Sequence, residues 1–174
     1  MGSKFVIADP RLCVGCHSCM AACLVKHFVP GDVPMARLNV VSIGNGMTTP
    51  IVCHHCEDAP CAAACPTTAL YHDGDRVAVD ISRCIGCRSC VIACPFGAVE
   101  IVSRQSTARL RDVKLNPVEE SYVIKCDRCV DRENGPACVE ACTSHALRLV
   151  SDTDFRQTVA AKHAKTVESP QSVL

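Results

Sequence analysis

The chain has 174 residues with 18 basic and 18 acidic side chains, so no net charge draws it toward a polyanion, and no basic stripe or Gly-rich phosphate loop points to nucleic acid or nucleotide. Hydrophobic residues make up 48%, but that figure includes sixteen Cys, while aromatics are 3% and Trp is absent, which excludes a core built on large side chains. No apolar run approaches the roughly 18–20 residues that span a bilayer, so no direct membrane insertion is expected.

In chain order, Phe5 to Ala8 reads as a short strand stopped by Asp9-Pro10. It has neither the apolar region of an export signal nor a twin arginine, so a cytoplasmic location is expected, where thiols stay reduced and dense cysteines mean metal. Cys13, Cys16, Cys19 and Cys23 follow, spaced C-x2-C-x2-C-x3-C. Arg37–Ile43 and Met47–Val52 read as a hairpin about Gly44-Asn45-Gly46. Then come Cys53, Cys56, Cys61 and Cys65, and a second hairpin, Ala69–Tyr71 and Arg76–Asp80, about His72–Asp75. Cys84, Cys87, Cys90 and Cys94 repeat the first spacing, and Val99–Val102 reads as a strand. Residues 103–121 form a polar, arginine-containing insert without clear periodicity. Cys126, Cys129, Cys138 and Cys142 make the last quartet, followed by a strand at Leu147–Val150 and a helix near Phe155–His163. The chain then ends in a polar tail containing Pro170, read as a frayed surface terminus. The fourth cysteine of each quartet is expected on a short helix, since Ala22, Ala64, Ala93 and Ala141 precede them and Ala favours helix.

The quartets are an internal repeat. The first and third are offset by 71 residues, and the offset carries Asp9 onto Asp80 and Gly15 onto Gly86. The second and fourth share C-x2-C-x(n)-C-x3-C, with Pro60 and Pro136 close before their third cysteines. The chain thus reads as two similar halves, roughly 1–74 and 75–150, plus a tail.

A [4Fe–4S] cube needs one thiolate for each of four irons, and a C-x2-C-x2-C loop wraps three corners with one tight turn that aims backbone N–H groups at the sulfurs. Gly15 and Gly86 suit such turns. Cys84 to Pro95 matches the ferredoxin run C-x2-C-x2-C-x3-C-P in full, and Cys65-Pro66 shares its proline, whereas Leu24 and Thr143 stand there in the other quartets. Zinc needs no third cysteine at this spacing, and disulfides need an oxidising compartment. His17, His54 and His55 lie inside cysteine loops, but every quartet is already complete, so they read as neighbours of a cluster or surface groups. Arg83, Arg88, Lys125 and Arg128 flank the loops and read as solvated side chains. Glu57-Asp58 and Glu119-Glu120 read as surface charge, and no constellation of nucleophile and base is present, so no catalytic residues are assigned.

The four quartets, the opening Phe5–Asp9 and the stretches Cys53–Cys61 and Gly135–Cys138 resemble the four-cluster ferredoxin-like electron-transfer subunits of molybdenum and tungsten oxidoreductases. The resemblance is to the small iron–sulfur subunits of formate hydrogenlyase and formate dehydrogenase type, with polyferredoxin subunits of aldehyde oxidoreductase and CO dehydrogenase similar. It covers about residues 4–150. It implies an α+β fold of tandem bacterial-ferredoxin-like modules with two [4Fe–4S] clusters each, four in all. The double domain would span 1–151: an inner module about 50–102, an outer module from about 4–28 plus 122–151, a 29–49 hairpin and the 103–121 insert, with 152–174 as a C-terminal helix and tail. Each fourth cysteine would cross over. One cluster then takes Cys84, Cys87, Cys90 and Cys65, and its neighbour Cys53, Cys56, Cys61 and Cys94. A third takes Cys13, Cys16, Cys19 and Cys142, and the last Cys126, Cys129, Cys138 and Cys23. Spacing alone allows local quartets as well. The expected role is non-catalytic: single electrons relayed between a catalytic Mo/W subunit and a second redox subunit of flavoprotein, hydrogenase or ferredoxin type, with stacking of further copies possible. The rivals are a free-standing polyferredoxin, a catalytic cluster protein and a zinc protein.

Overall fold

The computed structural model describes residues 3–30, 32–106, 109–110, 113–114 and 118–168. Strand β1 (Lys4–Ala8) pairs antiparallel with β10 (Leu147–Ser151). Strands β2 (Asn39–Ile43) and β3 (Met47–Ile51) form a hairpin about a 3-10 turn at Gly44–Gly46. Strands β4 (Leu70–Asp73) and β5 (Arg76–Val79) close on the two residues Gly74-Asp75, where Gly74 has φ +62° and Arg76 pairs with Asp73. Strands β6 (Val99–Ser106) and β9 (Val118–Lys125) make a long ribbon, with the short pair β7 (Arg109–Leu110) and β8 (Val113–Lys114) beyond it.

The helices between them are short for local reasons. Helix α1 (Ser18–Lys26) is the longest of the four that carry cysteines. Helices α2 (Pro60–Ala63) and α4 (Ala137–Glu140) start at prolines, which lack the N–H that a first turn would leave unpaired. Helix α3 (Ser89–Ala93) stops at Cys94, because the residue before Pro95 is pushed out of helical geometry.

The 71-residue repeat appears in the structure as one joint built twice. Strand β1 precedes the first quartet and pairs with β10, which follows the fourth; β5 precedes the third and pairs with β4, which follows the second. The Asp9 N–H donates to the Ala146 carbonyl (2.8 Å) and the Asp80 N–H to the Ala69 carbonyl (2.7 Å). Each aspartate then accepts the N–H two residues on, from Arg11 and from Ser82. The buried side chains fall into two groups. Val6, Leu38, Val52 and Leu147 pack with Cys19, Cys23, Cys53, Cys126 and Cys138; Ala59, Leu70, Val77, Val99 and Val123 pack with Cys61 and Cys90. The architecture is a small mixed helix-and-strand fold in which cysteines occupy core positions that larger side chains fill in other proteins.

Three expectations need correction. The stretch 103–121 is not irregular throughout: β6 and β9 run into it, and Ser103 and Ser121 face each other with hydroxyls 2.7 Å apart. Its outer end is wet on both faces, so the apolar alternation that marks a strand is missing. The fourth cysteines are mostly not helical: Cys23 lies within α1, but Cys65, Cys94 and Cys142 follow their helices, and it is the third cysteines that sit inside them. The C-terminal helix α5 runs from Asp152 to Glu168, longer than expected. Ser151 and Asp154 start it reciprocally, the Ser151 N–H donating to the Asp154 carboxylate (2.9 Å) and the Asp154 N–H to the Ser151 hydroxyl (3.2 Å). The end of the tail, with Pro170, lies outside the described residues.

Candidate iron–sulfur sites

The first and third quartets fold alike. Gly15 (φ +66°) and His17 (φ +61°) bracket Cys16, and Gly86 (φ +67°) and Arg88 (φ +65°) bracket Cys87. Left-handed residues on both sides of a cysteine coil the backbone into a concave loop with its N–H groups inward, a shape that cradles an anion. The loops of the second and fourth quartets bend at His55 (φ +47°) and at Arg128 and Cys129 (φ +64° and +49°). A hairpin backs each outer loop: a Cβ on Gly15 would lie 3.0 Å from Thr48 Cγ2, and one on Gly86 2.6 Å from Ser121 Cβ. Thr48 also donates its hydroxyl to the Cys13 carbonyl (3.2 Å). Sequence reasoning missed Thr48 and Ser121, because neither is near a cysteine in the chain.

Backbone N–H groups already point at sulfur. Arg37 donates to Cys23 Sγ (3.2 Å), Ala69 to Cys65 Sγ (3.2 Å), Ala98 to Cys94 Sγ (3.4 Å) and Arg128 to Cys126 Sγ (3.3 Å). Such bonds stabilise a thiolate over a thiol and lower the electron density a cluster must carry. Cys16 and Cys87 are exposed, and the hydroxyls of Ser18 and Ser89 hold their thiols below the usual range.

Burial is the largest influence on the inner thiols and pushes them up: Cys19 and Cys61 to about 11, Cys126 to about 12, and Cys138 further. In Cys65 burial is outweighed by the N–H groups of Leu70, Thr67 and Ala69, which lower it. Behind burial comes the charge of neighbouring thiolates, which shows which sulfurs the fold gathers. Cys94 raises Cys56 and Cys61; Cys65 raises Cys90; Cys142 raises Cys19; Cys129 raises Cys23, which in turn raises Cys138. One such grouping is seen directly: Cys142 lines one cavity with Cys13, Cys16 and Cys19. Cys53 further raises Cys126, and Cys19 raises Cys138, and these four pack in one buried group.

Between the groups led by Cys53 and Cys126 lies a buried polar junction. The Lys125 side chain is 3% exposed and donates from Nζ to the carbonyls of Val77 (2.6 Å) and Cys126 (3.0 Å). Arg128 donates to both oxygens of Asp75 (2.9 and 2.5 Å) and to the Lys4 carbonyl (3.2 Å). His55 accepts the Val77 N–H at Nδ1 (3.2 Å), which leaves its proton on Nε2; burial first, then Lys125 and Arg128, bring its pKa down to about 3. Lys125 and Arg128, read from sequence as solvated, are buried because these carbonyls and Asp75 receive their donors. Arg83 and Arg88 are exposed, as are His17, Glu57, Asp58, Glu119 and Glu120. His54 is sandwiched between Phe5 (5.4 Å) and Phe96 (3.9 Å) and is neutral-favouring through burial. His27 brings Nε2 to 3.5 Å from Asp127 and 3.7 Å from Cys129 Sγ. The 102 residues separating His27 from Cys129 left no local signal.

Two buried side-chain nitrogens lack a hydrogen-bond partner among the described residues, His55 Nε2 and Arg128 Nε. They occupy equivalent places, each immediately before the second cysteine of its quartet. Unpartnered buried donors, an unpaired buried lysine and inward N–H groups form an environment for anions, and thiolate-ligated [4Fe–4S] clusters are anions. The residues present fit that group.

Against this geometry, the sequence matches the 4Fe-4S dicluster domain family over residues 45–152. The chain belongs to that family. It is 41% identical to the electron transport protein HydN of Escherichia coli (strain K12), covering 94% of this chain and 97% of the relative. It is 38% identical to formate hydrogenlyase subunit 2 of the same strain, over 94% of this chain and 90% of the relative. It also matches, at 39% identity, a longer protein of that strain that carries the name oxidoreductase, AegA, of which it covers 24%. The dicluster-domain chain is thus an iron–sulfur electron-transport protein of ferredoxin type. No helix among its described residues is long and apolar enough to cross a membrane.

Proposed function

We propose that the chain is a non-catalytic electron wire of four [4Fe–4S] clusters, held in tandem ferredoxin-like modules by all sixteen cysteines. The ligand sets are crossed: Cys84, Cys87, Cys90 and Cys65; Cys53, Cys56, Cys61 and Cys94; Cys126, Cys129, Cys138 and Cys23; Cys13, Cys16, Cys19 and Cys142. The single observation that carries this reading is the cavity that Cys142, from the fourth quartet, lines together with Cys13, Cys16 and Cys19 of the first. The clusters supply one-electron chemistry when bound. The protein shields the inner pair, cradles sulfur with N–H groups, and exposes one cysteine at each end.

Those ends, around Cys16 and Cys87, are where electrons enter and leave. Each is rimmed by exposed apolar residues: Leu12 and Val14 at one, Ile81, Ile85 and Ile92 at the other. A catalytic Mo/W oxidoreductase subunit docks at one end and a second redox subunit of flavoprotein, hydrogenase or ferredoxin type at the other. The name of formate hydrogenlyase subunit 2 and the length of AegA support a life inside larger oxidoreductases. The cytoplasm, which keeps thiols reduced, suits a chain whose cysteines all serve as cluster ligands. All-cysteine ligation amid apolar side chains puts the potentials toward the low part of the roughly −700 to +450 mV that such clusters span.

Paired cysteine removals test the crossing. Cys56→Ala with Cys94→Ala removes one cluster if the sets cross and two if they are local. Iron analysis of the anaerobic double variant, against each single, is expected to show one cluster lost; two lost would reject the crossed sets.

A further inference from the structure

Lys125 is the most buried lysine or arginine among the described residues. It is 3% exposed, and among the described residues it makes no salt bridge. Two carbonyls receive its donors, but a carbonyl satisfies hydrogen bonding and does not neutralise a charge. The other groups of the junction are matched: Arg128 is bound through two nitrogens to Asp75, and His55 accepts the Val77 N–H at Nδ1. One positive charge is left over in a buried position, which is unfavourable unless an anion compensates.

The candidates for that anion surround it. Lys125 Nζ lies 3.0 Å from the Cys126 carbonyl oxygen and 3.5 Å from His55 Nδ1, and His55 stands in the loop between Cys53 and Cys56. Cys53 and Cys56 belong to one proposed central ligand set and Cys126 to the next. Its position is fixed from both sides: it sits at the end of β9 immediately before Cys126, while its Nζ reaches across to Val77 on β5. No described lysine or arginine plays this part at Cys16 or Cys87, which water reaches.

We infer that Lys125 is the common counter-cation of the two central clusters, and that the buried charge at this junction sets their potentials apart from those of the two end clusters. This rests on the ligand sets proposed above. Reduction adds a negative charge to a cluster, and a fixed cation beside it favours that step. Because one ammonium serves both clusters, it keeps their potentials close together and raised. The electron therefore crosses between the modules without a large uphill step.

The test is an EPR-monitored redox titration of the full-length, cluster-loaded chain. Lys125→Met keeps the stem and removes the charge; two of the four midpoints are expected to move negative while two stay. Lys125→Arg is expected to restore them, and Lys165→Met, on the exposed face of α5, to leave all four unchanged. Asp75→Asn probes the same junction with opposite sign and without touching the lysine: Arg128 loses its partner, and the same two midpoints are expected to move positive. If Lys125→Met does not load four clusters, Asp75→Asn decides. Unchanged midpoints in Asp75→Asn, or an equal shift in all four clusters of either variant, would overturn the inference. Wild-type protein that fails to load four [4Fe–4S] clusters would instead overturn the ligand sets on which it stands.

Discussion

Gly86 shows how tightly the outer loops are drawn. It has φ +67°, and a Cβ there would meet both the Cβ (2.6 Å) and the carbonyl oxygen (3.1 Å) of Ser121, so substitution is strained by backbone and by space together. Gly86→Ala is expected to lose more than the about 1–2 kcal/mol that a left-handed L-residue costs. Gly15→Ala meets side-chain atoms of Thr48, the methyl (3.0 Å), hydroxyl (3.2 Å) and Cβ (3.4 Å), rather than backbone, and is expected to lose less. Anaerobic thermal denaturation at a fixed scan rate compares them, and Ser121→Gly is expected to rescue part of the Gly86→Ala loss; equal effects at the two glycines would contradict this packing.

Asp75 makes a pH-dependent prediction at the same scale. Its bond from Arg128 holds the carboxyl below its usual 3.8. A depressed carboxyl stabilises the fold above its unfolded value and loses that contribution as pH falls through the folded value. Asp75→Asn is therefore expected to cost about 1–3 kcal/mol near neutrality, since a buried guanidinium is left short of its acceptor. The gap to wild type stays level between pH 5 and 8 and closes below about pH 4. Apparent melting temperatures of both proteins across that range check the sign, and a gap that widened in acid would refute it.

At the scale of elements, the stack of Phe5, His54 and Phe96 ties β1 to the turn after α3. It is the only aromatic stack among the described residues of a chain with 3% aromatics. Phe96→Ala is expected to cost about 1–2 kcal/mol, area and stacking together. Melting temperature and iron content separate the outcomes: a lower melting point with full iron agrees, and iron loss at ambient temperature does not. Elements were unevenly legible in the sequence. The hairpin at 39–51 was readable because Gly44-Asn45-Gly46 is a turn signal between apolar runs, and the capping box at Ser151 and Asp154 was equally readable but overlooked. The outer half of the β6–β9 ribbon was not, because Glu119, Glu120 and Gln105 face water and carry no alternation.

At the scale of the molecule, the cysteine count and the 71-residue offset gave away the chemistry, because cluster ligation depends on local spacing. What spacing could not give was the meeting of parts far apart: Lys125 with Val77, Arg128 with Asp75, His27 with Cys129. These contacts join residues 48, 53 and 102 positions apart in the chain, and the sequence treats each charge as one more surface residue. The burial of these groups makes the junction between the central thiols the most polar part of an otherwise apolar interior.

The most direct measurement is the iron and acid-labile sulfide content of anaerobically prepared full-length protein, with native mass spectrometry of the intact chain. Four cubes on sixteen cysteines predict sixteen irons and sixteen sulfides per chain. Eight irons, or zinc bound in their place, would contradict the four-cluster wire.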